Sequence, residues 1–288
     1  MRVPLAGKTA LITGAGSGIG QALAIEAAER GMILALTGRR AERLAETCAR
    51  FNSRPACLII PGDVTSPETR RAIRERIAKE WGRLHVVVNN AGIVAAGPLA
   101  VTQDAELDRL IATNLTAPIA LTRELLPLLR AGAPARVVNI GSMLGDIALP
   151  LFVAYSASKF GLRGLSNALR RELKSLAIGV TYASPRGART AATQAIAHVV
   201  EPLDMPLDKV ETIARQVWDA VAAGRDVVYP RGRERLFVLL EKLMPSVVSR
   251  ALNAQIEAAG MRPLIEQAAG FVGRSQPIDR APSNAGGF

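Results

Sequence analysis

Cysteine and histidine are scarce in this chain of 288 residues, with two of each. Cys48 and Cys57 show no CxxC spacing, so neither a zinc ribbon nor a disulfide scaffold is supported. We expect both to be buried, small apolar side chains. His85 and His198 have no partner at the spacing of metal ligands, so we expect packing or surface roles for them and no metal.

Aromatic residues make up only 4% of a chain that carries a net charge of +11. A basic field attracts polyanions whatever the fold. However, binding of single-stranded nucleic acid relies on aromatic stacking platforms. The arginines, such as Arg70-Arg71 and Arg170-Arg171, lie among glutamates as on a solvated helical face. We therefore expect no nucleic-acid partner.

Long apolar runs are also missing, since none approaches the roughly 18 residues of a membrane span. The first residues lead directly into a strand pattern. These observations predict a cytoplasmic protein.

Short apolar runs rich in β-forming residues alternate with longer amphipathic stretches, which predicts repeated β-α units around a buried parallel sheet. The expected fold class is α/β, a single doubly wound Rossmann-type domain over residues 5–230 with a seven-stranded parallel sheet. The predicted strands are 9–13, 32–37, 56–60, 85–89, 136–140, 179–183 and 226–229. The predicted helices are 18–30, 41–51, 67–81, 104–129, 155–176 and 207–223.

The chain changes character after Pro230. Residues 231–243 and 247–259 predict amphipathic helices of a C-terminal helical extension over 231–274. Residues 275–288 are rich in proline, glycine and serine, which predicts a disordered tail. The helices can cover a pocket, contact another subunit or lie on an anionic membrane, and we rank the membrane last because they are short.

A glycine-rich turn follows the first predicted strand and precedes a helix, with the pattern Thr13-Gly14-x-x-x-Gly18-x-Gly20. Glycine allows a sharp turn and a close approach to a pyrophosphate, and the helix N-terminus offers unpaired N–H groups. The strict GxGxxG spacing is absent, because Ile19 stands at its third glycine. The alternative is a tight turn without a ligand. The expected dinucleotide contacts in this turn are Gly14, Ser17, Gly18, Ile19 and Gly20.

The second predicted strand is followed by Arg39-Arg40 and by no acidic residue. A carboxylate at this point binds the ribose 2′-hydroxyl of NAD, whereas an arginine accommodates a 2′-phosphate. We therefore expect NADP(H) to be preferred, with Arg39 as its chief contact and NAD(H) as the alternative. In the competing interpretation, the two arginines are only the first residues of a solvent-exposed helix.

Tyr155 and Lys159 are four residues apart in a predicted helix, so their side chains share one face. An ammonium group beside a phenol favours the phenolate and eases proton exchange near neutral pH. Taken alone, a spacing of four residues is also that of an ordinary pair of side chains on a helix surface.

With these residues the chain resembles the short-chain dehydrogenase/reductase family over about residues 5–230. The motifs that carry the resemblance are Thr13-Gly14-x-x-x-Gly18-x-Gly20, Asp63-Val64, Asn89-Asn90-Ala91-Gly92, Asn114, Ser142 and Tyr155-x-x-x-Lys159. The resemblance implies an enzyme that transfers a hydride between a nicotinamide cofactor and a ketone or secondary alcohol. It also implies a homodimer or homotetramer.

The resemblance assigns catalytic roles to four residues. Tyr155 would be the general acid/base, and Ser142 would hydrogen-bond the substrate oxygen. Lys159 would hold the nicotinamide ribose and lower the pKa of Tyr155, and Asn114 would anchor a water molecule in a proton relay. Further implied cofactor contacts are Asp63, Val64, Asn90, Ala91, Gly92, Pro185 and Thr190.

Each role has a plain alternative. Ser142 can cap a turn, Asn114 can lie on a wet helix face, and Asp63 can form an Asx-turn. For the whole chain, the alternatives are a non-catalytic dinucleotide sensor or regulatory protein, and an epimerase or dehydratase, whose extended substrate domain is missing.

One departure from the family pattern follows the predicted strand 179–183, where Arg186 replaces the usual glycine. Arg186 and Arg189 can face an anionic substrate group or solvent, and we favour solvent. The pocket is expected among residues 94–99, 143–152 and 190–206. Apolar side chains in these segments indicate an apolar substrate. In the competing interpretation, these side chains pack in the protein core. They are Val94, Leu99, Met143, Leu144, Ile147, Leu149, Leu151 and Phe152.

Overall fold

The computed structural model describes residues 4–52 and 57–272. Its strands are β1 Thr9–Thr13, β2 Ile33–Gly38, β3 Cys57–Pro61, β4 Val86–Asn89, β5 Ala135–Ile140, β6 Ile178–Ala183, β7 Gly187–Ala188, β8 Leu207–Asp208 and β9 Val227–Val228. Seven of them form one parallel sheet in the order β3-β2-β1-β4-β5-β6-β9. The order reverses direction at β1, so crevices open at the carboxyl ends of β1 and β4. The predicted α/β class and seven-stranded parallel sheet are confirmed.

Helices cover both faces of this sheet. The helices of the described residues are α1 Gly18–Glu29, α2 Ala41–Ala49, α3 Pro67–Trp81, α4 Asp104–Ile111, α5 Ala117–Ala131, α6 Val153–Glu172, α7 Ala191–Gln194, α8 Ala197–Val200, α9 Val210–Ala222, α10 Glu234–Leu243, α11 Pro245–Ala258 and α12 Arg262–Val272. No helix in the described part of the chain is long and apolar enough to cross a membrane.

Alternate residues of the strands supply two separate cores. In β1, Ile12 packs with Leu23 of α1 and Trp218 of α9, whereas Leu11 packs on the opposite face with Ile73 of α3 and Leu121 of α5. This period of two is what a sheet buried on both faces requires. A third cluster forms between the loops beyond the sheet and α8, α11 and α12.

The predicted helix 104–129 contains a π-helical turn. Between α4 and α5, residues Ala112–Thr116 form this turn. Pro118 has no N–H to donate to the carbonyl of Asn114 four residues earlier, so a regular α-helix loses a hydrogen bond here. The stretch is helical throughout, as predicted, and Pro118 is the sequence signal for the π-helical turn that was missed.

Three other boundaries differ from expectation. The predicted helix 207–223 begins only at Val210, because Leu207–Asp208 pairs with Gly187–Ala188 as β8 and β7. The last predicted strand shortens to Val227–Val228. The C-terminal segment contains α12 in addition to the two expected helices. The predicted tail 275–288 lies outside the described residues.

The expectation for the two cysteines is wrong. Cys48 at the end of α2 and Cys57 at the start of β3 are bonded to each other, with a Cα–Cα distance of 6.6 Å. Both are partly buried. No spacing pattern indicates this pair, because it forms only when α2 packs beside β3.

Candidate active site

The turn between β1 and α1 requires glycine for two reasons. Gly14 and Gly18 have φ values of +66° and +56°, which side chains rarely adopt. A Cβ on Gly14 would lie 2.9 Å from the Cα of Ala91, and one on Gly20 would collide with the carbonyl oxygen of Gly14. The backbone of this turn is thus left open for a close approach by a ligand.

The loop after β4 is tied to this turn. Thr13 Oγ1 accepts hydrogen bonds of 2.9 Å from the backbone N–H groups of Asn90 and Ala91. The Asn90 side chain in turn donates to the Thr13 carbonyl at 2.9 Å. These bonds fix the glycine turn and the Asn90–Gly92 loop as two walls of one cavity.

Arg39 and Asp63 lie at the end of that cavity formed by the loops after β2 and β3. Arg39 is exposed, while Asp63 accepts hydrogen bonds from Thr65 N at 2.9 Å and Thr65 Oγ1 at 2.7 Å. Burial raises the pKa of Asp63, but these hydrogen bonds and the charge of Arg39 lower it overall. The Asx-turn considered for Asp63 is therefore present at the cavity wall.

Arg70 contradicts its interpretation as a solvated helix residue. It is buried, donates to the carbonyls of Val64 at 3.1 Å and Thr65 at 2.7 Å, and pairs with Glu124 at 3.0 Å. It thereby anchors the loop that carries Asp63 and Val64 to α3 and α5. The charge pattern concealed this role, because burial depends on the neighbouring helix.

Ser142, Tyr155 and Lys159 meet beside the same cavity. Ser142 follows β5, while α6 carries Tyr155 and Lys159 one turn apart. The Nζ atom of Lys159 lies 5.6 Å from the ring centre of Tyr155 and donates to the Ile140 carbonyl at 3.0 Å. Ser142 Oγ also accepts from Leu144 N at 3.1 Å, so the considered turn cap is present as well.

Burial controls the protonation of this group. It raises the pKa of Tyr155 to about 12, against the opposing effect of a hydrogen bond to Ser142. It also lowers the pKa of Lys159 to about 8. The lowering of the Tyr155 pKa expected from Lys159 is thus not found, because desolvation outweighs the hydrogen bond to Ser142.

Asn114 does not lie on a wet helix face, since it is 1% exposed. Its Nδ2 donates to the Ile93 carbonyl at 2.9 Å and to Ser158 Oγ at 3.2 Å, and its Oδ1 accepts from Ile93 N at 2.9 Å. Asn114 does not line the cavity with the other predicted residues. It lies behind Gly92 and Lys159, where it holds the loop after β4 against α6.

A buried carboxylate that the sequence analysis did not single out supports Ser142. Asp146 accepts hydrogen bonds from Ser184 Oγ at 2.6 Å and Tyr229 Oη at 2.9 Å, and it pairs with Arg163 of α6 at 2.5 Å. Tyr182 Oη donates to the Ser142 carbonyl at 3.3 Å. These residues fix the turn after β5 but match no short motif, so only the fold reveals them.

The expectation that Arg186 faces solvent is wrong. Arg186 binds Asp208 with two bonds of 2.7 and 3.1 Å and Glu234 with a bond of 2.6 Å. Arg189 is exposed. Pro185 and Thr190 line the cavity, and Thr190 Oγ1 caps α7 through Thr193 N at 3.3 Å. The arginine at the departure from the family pattern thus joins the cavity rim to α10.

The other end of the cavity is apolar. Five of the eight predicted apolar residues line it, but Leu149 and Leu151 are core residues and Leu99 is 53% exposed. The C-terminal helices supply lining residues that the sequence analysis did not name. The apolar lining includes Val94, Met143, Leu144, Ile147, Phe152, Ile196, Val200, Met205, Phe237, Leu240, Val247, Val248 and Leu252.

One cavity of about 1190 Å³ contains both ends. This volume exceeds the roughly 300–1,000 Å³ of typical ligand pockets, which leaves space for a substrate beside a dinucleotide. The open glycine turn and Arg39 fit the phosphate-bearing end of such a cofactor. Among residues 4–52 and 57–272, no group of three or more His, Cys, Asp or Glu is placed to hold a metal ion.

Comparisons with known proteins agree with this geometry. The sequence profile of the short chain dehydrogenase family matches residues 8–200. The protein named SadH of Mycobacterium tuberculosis is 31% identical over 264 residues, 87% of this chain and 95% of its own. The 3-oxoacyl-[acyl-carrier-protein] reductase FabG of Pseudomonas aeruginosa is 37% identical over 184 residues, 63% of this chain and 74% of its own.

A solved structure has the same fold. The short chain dehydrogenase/reductase of Burkholderia phymatum, in complex with NAD, superposes with a TM-score of 0.77 at 22% identity and covers 85% of this chain and 96% of its own. The chain belongs to the short-chain dehydrogenase/reductase family. It is a NAD(P)-dependent oxidoreductase of that family that acts on a small-molecule substrate.

Proposed function

We propose that this enzyme reduces an apolar ketone to a secondary alcohol with NADPH, and catalyses the reverse oxidation with NADP. The observation that carries the proposal is that Tyr155 and Ser142 line one cavity together with the glycine turn and with apolar side chains. A carbonyl group held there has hydrogen-bond donors on one side and hydrocarbon on the other.

Tyr155 is the proposed general acid. With its pKa raised to about 12, the phenol keeps its proton at neutral pH, which is the form needed for reduction. Ser142 Oγ donates a hydrogen bond to the substrate oxygen and holds it beside Tyr155 Oη. When bound, the cofactor supplies the hydride, and the proton from Tyr155 completes the alcohol. Alcohol oxidation requires Tyr155 to accept the proton instead.

Lys159 and Asn114 have supporting roles in this proposal. Lys159 lies over the Tyr155 ring, and its ammonium can turn from the Ile140 carbonyl towards the ribose hydroxyls of a bound nucleotide. Its charge then stabilises a tyrosinate that has released its proton. Asn114 fixes the loop after β4, and a water molecule at this loop would return a proton to Tyr155.

The proposed cofactor contacts follow the cavity wall. Gly14, Ser17, Gly18, Ile19 and Gly20 would surround the pyrophosphate, and Arg39 would bind a 2′-phosphate bidentately. Asp63 and Val64 would bracket the adenine. The remaining proposed contacts, towards the nicotinamide, are Asn90, Ala91, Gly92, Pro185 and Thr190.

The test is Tyr155→Phe, which removes only the phenol oxygen. We expect kcat for reduction of an aliphatic ketone to fall by about 10²–10⁴, while the Kd of NADPH, measured by fluorescence titration, stays within twofold. Ser175→Ala is the control for loss of a hydroxyl group, because Ser175 is exposed and lies outside the cavity. Retained turnover in the Tyr155 variant would refute the mechanism.

A non-catalytic dinucleotide sensor is the rival function. It predicts NADPH binding without turnover for any carbonyl substrate. The two functions are distinguished by measuring kcat/KM of the unsubstituted enzyme with methyl ketones of increasing chain length. An enzyme with an apolar cavity should show a kcat/KM that rises with chain length.

A further inference from the structure

The helix α10 exposes a stripe of large apolar side chains. Leu236, Leu239 and Leu243 are spaced three and four residues apart and are 54%, 50% and 70% exposed. Met244, at the end of the helix, is 50% exposed. Residues at this spacing share one face of a helix. A cluster of exposed apolar side chains marks a surface for a protein or a membrane.

This stripe borders the mouth of the cavity. Phe237 and Leu240, on the next face of α10, line the cavity, and so does Val247 of α11. Phe237 and Val247 are also exposed, so they belong to both the outer surface and the lining. An apolar molecule therefore has an apolar route from the outside of α10 to the catalytic end of the cavity.

Positive charge surrounds the stripe. The segment 231–250 holds five cationic side chains and two carboxylates, and one carboxylate, Glu234, is bonded to Arg186. All five cations are exposed, and within the described part of the chain none forms an ion pair. They are Arg231, Arg233, Arg235, Lys242 and Arg250.

We infer that the α10–α11 surface docks on an anionic lipid bilayer and that the apolar substrate enters the cavity from the lipid. Leucines in the acyl boundary with cations at the headgroups are the arrangement by which amphipathic helices bind such surfaces. A second copy of the chain fits less well. A two-fold interface would bring together the five cations of each copy, with Glu241 as the one carboxylate per copy that is not bonded to Arg186.

The test is cosedimentation of the full chain, without substrate, with vesicles of phosphatidylglycerol and phosphatidylcholine or of phosphatidylcholine alone. We expect binding to the anionic vesicles that weakens with added salt. Replacing Arg233, Arg235 and Lys242 together by Gln lowers the partition coefficient at least about tenfold. Replacing Leu239 and Leu243 together by Ser lowers it about tenfold as well.

The matched control replaces Arg71, Lys79 and Arg83, which are exposed on and after α3, by Gln. It removes equal charge from another surface, so binding should stay within twofold. If both triple variants lose vesicle binding equally, binding depends only on overall charge, and the inference is overturned. The inference is also overturned if the protein sediments without vesicles and the leucine variant forms a smaller oligomer. That result would identify a second copy of the chain as the occupant of the surface.

This inference goes beyond the proposed reaction, and the two can fail separately. Vesicle binding is measured without turnover, and Tyr155→Phe should bind vesicles like the unsubstituted enzyme. One outcome is that the enzyme reduces a ketone dispersed in water at a rate that anionic vesicles do not increase. That result would support the proposed reaction and contradict entry of the substrate from the lipid.

Discussion

The carboxylate of Asp146 and the guanidinium of Arg163 lie 2.5 Å apart and join the turn after β5 to α6. The turn begins at Ser142, and α6 carries Tyr155. The two proposed catalytic side chains come from different elements, so their separation depends on this bond and on those from Ser184 and Tyr229 to the same carboxylate.

Asp146→Asn should therefore weaken both the fold and the site. The substitution leaves Arg163 without its charge partner, and we expect the free energy of unfolding in urea to fall by about 3–5 kcal/mol. We also expect a lower kcat with an unchanged Kd for NADPH, because Ser142 loses its fixed position. Asp226→Asn is the control, since Asp226 is 55% exposed and its ion pairs contribute less than about 0.5 kcal/mol.

Lys159 should make stability depend on alkaline pH. Its folded pKa of about 8 lies below the ordinary value of 10.5, so between these values the unfolded chain binds the extra proton and stability rises with pH. Relative to Lys159→Met, the cofactor-free enzyme should gain about 2 kcal/mol in the free energy of unfolding from pH 7 to pH 10. A flat difference over this range would contradict the burial of the charged amine.

Arg39→Ala should change cofactor preference. Loss of a charged hydrogen-bond donor costs about 1.5–3 kcal/mol, so kcat/KM with NADPH should fall about 10- to 100-fold while that with NADH is nearly unchanged. Arg50→Ala is the control, because Arg50 is exposed like Arg39 but lies outside the cavity. A preference of the unsubstituted enzyme for NADH would reject the assignment.

Arg186→Gly restores the residue usual in the family and should loosen α10. It removes the bond to Glu234 and leaves two carboxylates, Glu234 and Asp208, without a cation between them. We expect faster amide hydrogen exchange over α10 and unchanged exchange in α3. Glu234→Gln should have a similar effect, and Glu241→Gln, which keeps the Arg186 bonds, should not.

Local sequence patterns were sufficient for the parallel sheet. The apolar runs around Ile12 and Val88 are continuous because both faces of the sheet are buried, and the glycines at 14, 18 and 20 follow from the backbone of one turn. Such features depend on residues close together in sequence, so spacing alone predicts them.

The missed features depend on contacts between distant segments. Arg70 resembles any helical arginine until α5 is placed beside α3, and Asp146 gains its three partners only when α6, β6 and the segment after β9 converge. The pKa of Tyr155 depends on its burial beside a cavity whose lining comes from many segments of the chain. No pattern within one segment contains this information.

The π-helical turn at Ala112–Thr116 makes the length of this segment a fixed property of the enzyme. Such a turn holds one residue more than an α-helical turn. Deleting a single residue there would restore a regular helix and leave α4 in place relative to α5, because the residue that is lost is the extra one of the wide turn. Natural variants that lose one codon in this stretch would therefore keep both helices but displace the Asn114 side chain from Ile93 and Ser158.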